Sequence, residues 1–246
     1  MTRFLLTTAL ITLTAPAMAF DIDAMSETER EAFRAEVRAY LLDNPEVLIE
    51  AMTVLEDRQQ GAQAADDAEL VAVNMEALVG DDHSWVGGNP EGDITVIEFL
   101  DYRCGFCRRA FPEVEELIAS DGNIRLIIKE FPILGEESTL SSRFAIATKL
   151  VEGDDAYKAV HDELMSFRGN VTPRALERVA ADLGFDGDAI MGAMQLPEVD
   201  LIIAENRALA DRLRISGTPT FVMGGQMLRG YLPLDGMRQV IAEERG

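Results

Sequence analysis

The chain has 246 residues, with 22 Lys and Arg against 44 Asp and Glu, for a formal net charge of −22. Hydrophobic residues make up 48% of it, enough to bury a core, and the length suits one large domain or two modest ones. The acid excess argues against nucleic acid as a partner, because a polyanion is repelled, and two cysteines exclude a multi-bridge disulfide scaffold.

Arg3 is followed by the uncharged run Phe4 to Pro16 and by Ala17-Met18-Ala19, which has the small-x-small form of a signal peptidase site. This pattern predicts a signal peptide over residues 1–19 and a mature chain starting at Phe20. The apolar run falls short of the roughly 20 residues that span a bilayer. The expectation is a periplasmic protein, working where thiol pairs can be oxidised.

Ser26 to Ala51 reads as two helices broken at Asp43-Asn44-Pro45. Phe33, Val37, Tyr40 and Leu41 share one helical face, and Leu48, Ala51, Met52 and Leu55 repeat the pattern. Such a stripe must be buried, either against the main domain or against copies of the same chain. Glu56 to Glu69 is polar, contains Gly61, and reads as a semi-flexible spacer before Leu70, Val73 and Ala77 resume a weaker face. Asp81 to Asp93 reads as a loop punctuated by Gly87-Gly88-Asn89-Pro90, with His83 facing solvent and Trp85 packing.

Ile94 to Leu100 is a nearly continuous apolar run, the pattern of a buried strand. Asp101-Tyr102-Arg103-Cys104-Gly105-Phe106-Cys107 follows and leads into a helical pattern. A Cys-x-x-Cys at a helix start puts its sulfurs about one turn apart, close enough to bridge. Cys104 then sits where unpaired backbone N–H groups and the helix dipole favour a thiolate, with Arg103, Arg108 and Arg109 adding local positive charge. A zinc site needs further ligands, and no second Cys pair exists, while His83 and His161 stand apart in sequence. A structural disulfide across so small a loop stabilises little. Redox chemistry is therefore the reading for this pair.

Glu98, an acid inside an apolar strand, needs a partner or a task. Six residues before Cys104, it is placed to lie beneath the thiol pair and to accept or deliver protons through water. Lys129, at the end of the second apolar run Ile124 to Lys129, is its expected partner. Further on, Pro219 precedes the apolar run Thr220-Phe221-Val222, so it marks a strand start or a turn that can be cis. Gly224-Gly225 makes a hairpin into Met227-Leu228-Arg229, and Leu234 to Glu244 reads as a closing helix.

Together these residues resemble the thioredoxin superfamily, and within it the secreted DsbA-like thiol–disulfide oxidoreductases. The resemblance rests on Glu98, on Cys104-Gly105-Phe106-Cys107, on Lys129 followed by Phe131-Pro132, and on Thr218-Pro219, and it covers about Asp93 to the C-terminus. It implies an α/β thioredoxin fold with a central mixed sheet, carrying a helical insertion at about 138–214 with breaks near Gly153, Gly169, Gly184 and Pro197. It also implies Cys104 as nucleophile, Cys107 as resolving thiol, and Pro219 as a cis-proline facing the pair. Thr218, Pro219, Gly105 and Phe106 are then the substrate-binding residues, and His161 reads as a packing residue of the insertion. Gly-Phe between the cysteines departs from the Pro-His of the DsbA-type oxidases. It is similar to the Gly-Tyr of disulfide isomerases, which also carry Thr before the cis-proline. Tyr40 to Leu48 resembles the oligomerising segment of ScsC proteins.

The expected organisation is a signal peptide at 1–19, a helical N-terminal segment at 20–78, and a DsbA-like domain at 79–246. The expected function is protein thiol–disulfide exchange, leaning to isomerase or reductase, with a dithiol oxidase and a Cu(I)-binding protein as alternatives. The expected partners are substrate proteins with thiols or disulfides, a membrane redox partner, and further copies of the chain through residues 26–55. No cofactor or metal is expected.

Overall fold

The computed structural model describes residues 23–246. The signal peptide expected at 1–19 lies outside the described residues. The described residues divide into two compact units, residues 23–58 and 59–246.

In the first unit, α1 (Glu27–Asp43) opens on a capping box. The Glu29 amide donates to Ser26 Oγ at 3.4 Å and the Ser26 amide donates back to Glu29 Oε2 at 2.9 Å, satisfying two of the helix's orphan donors. The helix ends at Asn44, whose backbone and side-chain N–H groups both donate to the Tyr40 carbonyl. No residue of α1 is buried, and Phe33, Val37, Tyr40 and Leu42 stand exposed. α2 (Glu46–Val79) starts after Pro45, and in residues 46–58 its apolar Leu48, Ile49, Met52 and Leu55 are likewise exposed.

The stretch Glu56 to Glu69, expected as a spacer, is helical throughout. Gly61 costs about 1 kcal/mol relative to Ala there, which its Ala- and Gln-rich flanks tolerate. Within the second unit the buried stripe of α2 is Asp67, Val71, Asn74 and Leu78, whereas Val73 and Ala77 face outward. Two polar residues sit in that stripe because each has a partner. Asp67 takes a two-pronged ion pair from Arg229, and Asn74 accepts from Arg212 Nε at 2.9 Å.

The second unit is built on one five-stranded sheet of order β1-β3-β2-β4-β5. β1 (Trp85–Gly88) lies in the segment expected to be a loop; it is a short edge strand running antiparallel to β3. Trp85 packs as expected, stacking on Tyr157 and donating to the Asp154 carbonyl. β2 (Ile94–Leu100) and β3 (Ile124–Glu130) pair in parallel across α3 (Gly105–Asp121). Five helices follow: α4 (Glu136–Glu152), α5 (Asp154–Ser166), α6 (Pro173–Leu183), α7 (Gly187–Ala193) and α8 (Pro197–Arg212). They form the expected insertion, and breaks fall at Gly153, around Gly169, at Gly184 and at Pro197. β4 (Thr220–Met223) then pairs antiparallel with β2, β5 (Gln226–Arg229) closes the hairpin, and α9 (Leu234–Arg245) ends the chain.

Alternation along the strands gives each face its own core. Val96, Leu100, Leu126 and Ile128 pack with α3, α9 and the inserted helices, while Ile97, Phe99, Ile127 and Val222 pack with α2 and the end of α8. This is a thioredoxin fold with a helical insertion.

Candidate functional site

The strand β2 ends in a buried turn that delivers the cysteines. The Asp101 carboxylate accepts the backbone N–H of Arg103 at 2.7 Å on one oxygen, and those of Ile133 and Leu134 at 2.8 and 3.0 Å on the other. Its carbonyl accepts the Cys104 N–H at 3.0 Å. One side chain therefore fixes the turn and ties it to the loop after β3. Cys104 is the N-cap of α3, with extended backbone at φ −74° and ψ 119°, so its sulfur lies at the unpaired end of the helix. Gly105 and Phe106 are exposed beside it, and Cys107, one turn on, is fully buried.

The two thiols are electrostatically opposite. A hydrogen bond from Cys107 is the main cause that lowers the Cys104 thiol from 9.0 to about 5; the Thr218 side chain and the N–H groups of Cys107 and Phe106 act in the same direction, against burial. Burial raises Cys107 far above the ordinary thiol range, and its bond to Cys104 and the nearby Glu98 add to that. From the other side, the Thr218–Pro219 peptide is cis, and the Thr218 carbonyl accepts from Cys104 Sγ at 3.1 Å. The pair thus consists of one ionisable sulfur, on a residue that keeps 7% exposure, and one fully buried, protonated sulfur.

Glu98 is 3% exposed, on the sheet face that carries Val96 and Leu100. Burial pushes its carboxyl from 4.5 up to about 8, and the charges of Cys104, Glu115 and Glu130 push the same way. Its Oε1 is buried without a hydrogen-bond partner.

Lys129 is not the partner of Glu98. In the parallel pairing Glu98 stands opposite Ile128 and Phe99 opposite Lys129, so alternation turns the lysine to the other face of the sheet. There, fully buried, its Nζ pairs with Asp81. His83 is half-buried in the same region, 3.6 Å from both Asp81 and Glu205, rather than facing solvent. The three arginines near the motif are engaged with the scaffold. Arg103 pairs with Glu137, Arg108 Nε donates to the Tyr102 carbonyl at 2.6 Å, and the Arg109 guanidinium lies over the Tyr231 ring.

Behind the turn lies a buried polar cluster that sequence reasoning missed. Tyr102 and Tyr157 both donate to Glu130 Oε1, at 2.7 and 2.6 Å, and the Tyr102 hydroxyl also meets His161 Nδ1 at 3.1 Å. His161 packs in this cluster, and burial holds it neutral, lowered to about 3. The signal that could have found Glu130 is the one that marks Glu98, an acid carried by an apolar strand. No cluster of His, Cys, Asp and Glu that could hold a metal occurs among the described residues, nor does any helix long and apolar enough to cross a membrane.

The model of the DSBA-like thioredoxin domain family matches residues 95–242. The chain belongs to that family. A second model, that of the copper resistance protein ScsC N-terminal domain, matches residues 29–62. Among solved structures, a thioredoxin-like oxidoreductase from Silicibacter pomeroyi DSS-3 is 38% identical, with a TM-score of 0.66 over 70% of this chain and 98% of that one. Proteus mirabilis ScsC in a transitional conformation is 25% identical, with a TM-score of 0.65 over 91% of this chain and 98% of that one. A periplasmic thioredoxin-like protein from Salmonella enterica serovar Typhimurium is 26% identical, with a TM-score of 0.62 over 70% and 95%. The chain spans about a quarter of the length of the curated relatives it matches first, such as Na(+)/H(+) antiporter NhaA 1 of Salinispora arenicola, 28% identical over 169 residues, which are 69% of this chain and 26% of that protein.

Proposed function

We propose that this protein is a periplasmic thiol–disulfide oxidoreductase acting on the disulfides of other proteins, chiefly as an isomerase or reductase. The observation that carries the reading is the contrast within the pair. Cys104 is a low-pKa thiol beside the cis Thr218–Pro219 peptide, and Cys107 is buried and held protonated behind it.

The Cys104 thiolate attacks one sulfur of a substrate disulfide. A mixed disulfide forms, and the other substrate sulfur leaves as a thiolate. In isomerisation, a different substrate thiolate attacks the mixed disulfide, so Cys104 is restored with no net electron transfer. In reduction, Cys107 attacks Cys104, the substrate leaves as a dithiol, and the Cys104–Cys107 disulfide is reset by a membrane redox partner. Closure requires Cys107 to lose its proton, and in this reading the Glu98 carboxylate, whose charge acts on Cys107, accepts it. The Cys104 charge is one cause of the raised Glu98 pKa. In the mixed disulfide that charge is gone, so more of Glu98 is ionised when the acceptor is needed. Thr218 and Pro219 hold the substrate backbone, with exposed Gly105 and Phe106 beside them.

The exposed apolar face of residues 26–55 suits assembly into homo-oligomers, and the ScsC N-terminal match over residues 29–62 supports it. An oligomer surrounds a misfolded client with several active sites at high effective concentration.

One observation favours a dithiol oxidase instead. A stabilised Cys104 thiolate is a good leaving group and makes its disulfide easier to reduce. Reactivation of scrambled ribonuclease in a glutathione buffer separates the two. Recovery well above the uncatalysed rate is expected. No recovery, together with fast oxidation of reduced ribonuclease, assigns the oxidase.

A further inference from the structure

We propose that Glu130 is a positioning residue for the thiol chemistry: from the hub of a buried hydrogen-bonded cluster, its own charge sets the pH at which Glu98 exchanges a proton with Cys107. The inference rests on Glu98 as the proton carrier of the proposed function and adds a second acid that governs it.

Four observations place Glu130 in this role. Glu98 lies opposite Ile128 in the parallel pair and Leu100 lies opposite Glu130, so alternation puts both acids on the same face of the sheet, on neighbouring strands. Both are 3% exposed, and the charge of Glu130 opposes ionisation of Glu98. Glu130 Oε1 accepts from two phenols at 2.7 and 2.6 Å, which orients the carboxyl, while Oε2 is buried with no hydrogen-bond partner. Finally, one of those phenols is Tyr102, in the turn that ends at Cys104, and its carbonyl is held by Arg108 of α3. The cluster is therefore tied mechanically to the motif as well as electrically to Glu98.

The charge of Glu130 is poorly compensated. Its donors are neutral hydroxyls, His161 beyond Tyr102 is held neutral, and the adjoining Lys129 is on the opposite face with Asp81. Among the described residues no cation forms an ion pair with it. The other ionisable groups acting on the two acids are Asp101 from the turn, Glu115 and the two cysteines from α3 and its cap, and Tyr157 from α5. Apart from the phenols' hydrogen bonds, all oppose ionisation of the acids they act on, as burial does. Burial is the main cause that brings Glu130 to about 7, near neutrality, where its charge can change under working conditions.

The test is a carbon-13 carboxyl NMR titration of the Glu98 side chain in the reduced protein, compared with Glu130→Gln. The amide keeps the shape and an acceptor oxygen for the tyrosines but cannot ionise. The Glu98 midpoint is expected to fall by about half a unit or more, and the pH profile for resolution of a Cys104 mixed disulfide by Cys107 to move with it. Tyr157→Phe removes one hydrogen bond to the Glu130 carboxylate, keeps Glu130 neutral to higher pH, and is expected to shift Glu98 the same way by less. It carries the test if Glu130→Gln fails to fold. An unchanged Glu98 midpoint in the folded variants overturns the proposal. Glu98→Gln separates the two levels. If it leaves the Cys107 pH profile intact, the proton-carrier reading falls, and this inference with it. If it removes the pH dependence while Glu130→Gln moves nothing, only the role of Glu130 falls.

Discussion

Cys104 Sγ lies 3.1 Å from the carbonyl oxygen of Thr218, 114 residues further along the chain. The sheet makes this contact. Phe99 of β2 stands opposite Thr220 of β4, so the turn leaving one strand and the cis-proline entering the other emerge side by side. A thiol donates to that carbonyl, whereas a thiolate cannot. On ionisation the sulfur keeps the donors that face it from Cys107, from the start of α3 and from the Thr218 side chain. The reactive state of Cys104 is thus supported both from its own helix and from the Thr218 loop that would hold substrate.

In the reduced protein, two groups at the site drive the pH dependence of stability in opposite directions. Glu98, raised to about 8 from 4.5, keeps a proton when folded that the unfolded chain has lost; its contribution is present below 4.5 and lost as pH rises through 8. Cys104, lowered to about 5 from 9.0, contributes stability present above 9.0 and lost as pH falls through 5. Between these limits the two oppose each other. Relative to the wild type, Glu98→Gln is expected to make stability climb more steeply with pH, and Cys104→Ser to make it fall more steeply. Urea midpoints at about pH 5.5 and about pH 7.5 check both signs.

Asp101→Ala is expected to destabilise the protein by roughly 2–4 kcal/mol, because it strips the partner from three backbone N–H groups at once. The loss is read as a lower urea midpoint with an unchanged m-value. A folded variant with wild-type stability would show that the turn is held by other contacts.

Val37→Glu and Leu48→Glu place charges on the exposed apolar face of the first unit. Both are expected to reduce the assembly to monomers in sedimentation velocity while leaving the stability of the second unit unchanged. A wild-type protein that sediments as a monomer would remove the oligomer from the account.

Much of this was legible in the chain. The strands β2 and β3, the thiol pair, the proline turn and the helical insertion each carry a local pattern that the fold obeys. What escaped reading depended on partners distant in sequence. β1 is four residues long and contains two glycines, so its strand character comes from pairing with β3 rather than from its own side chains. The buried stripe of α2 was disguised by Asp67 and Asn74, polar residues whose arginine partners lie 162 and 138 residues away. Lys129 looked like the counter-ion of Glu98 because each is a charge carried by an apolar run. Parallel register decides the face, and a shift of one residue separates them.

The most direct test of the central claim is the pH dependence of iodoacetamide labelling, followed for each cysteine by mass spectrometry in the reduced native protein. Cys104 is expected to label with a midpoint near its lowered value of about 5, while Cys107 stays unlabelled until the protein is unfolded. Labelling of Cys107 first, or a Cys104 midpoint near the ordinary 9.0, would contradict the assignment of nucleophile and resolving thiol.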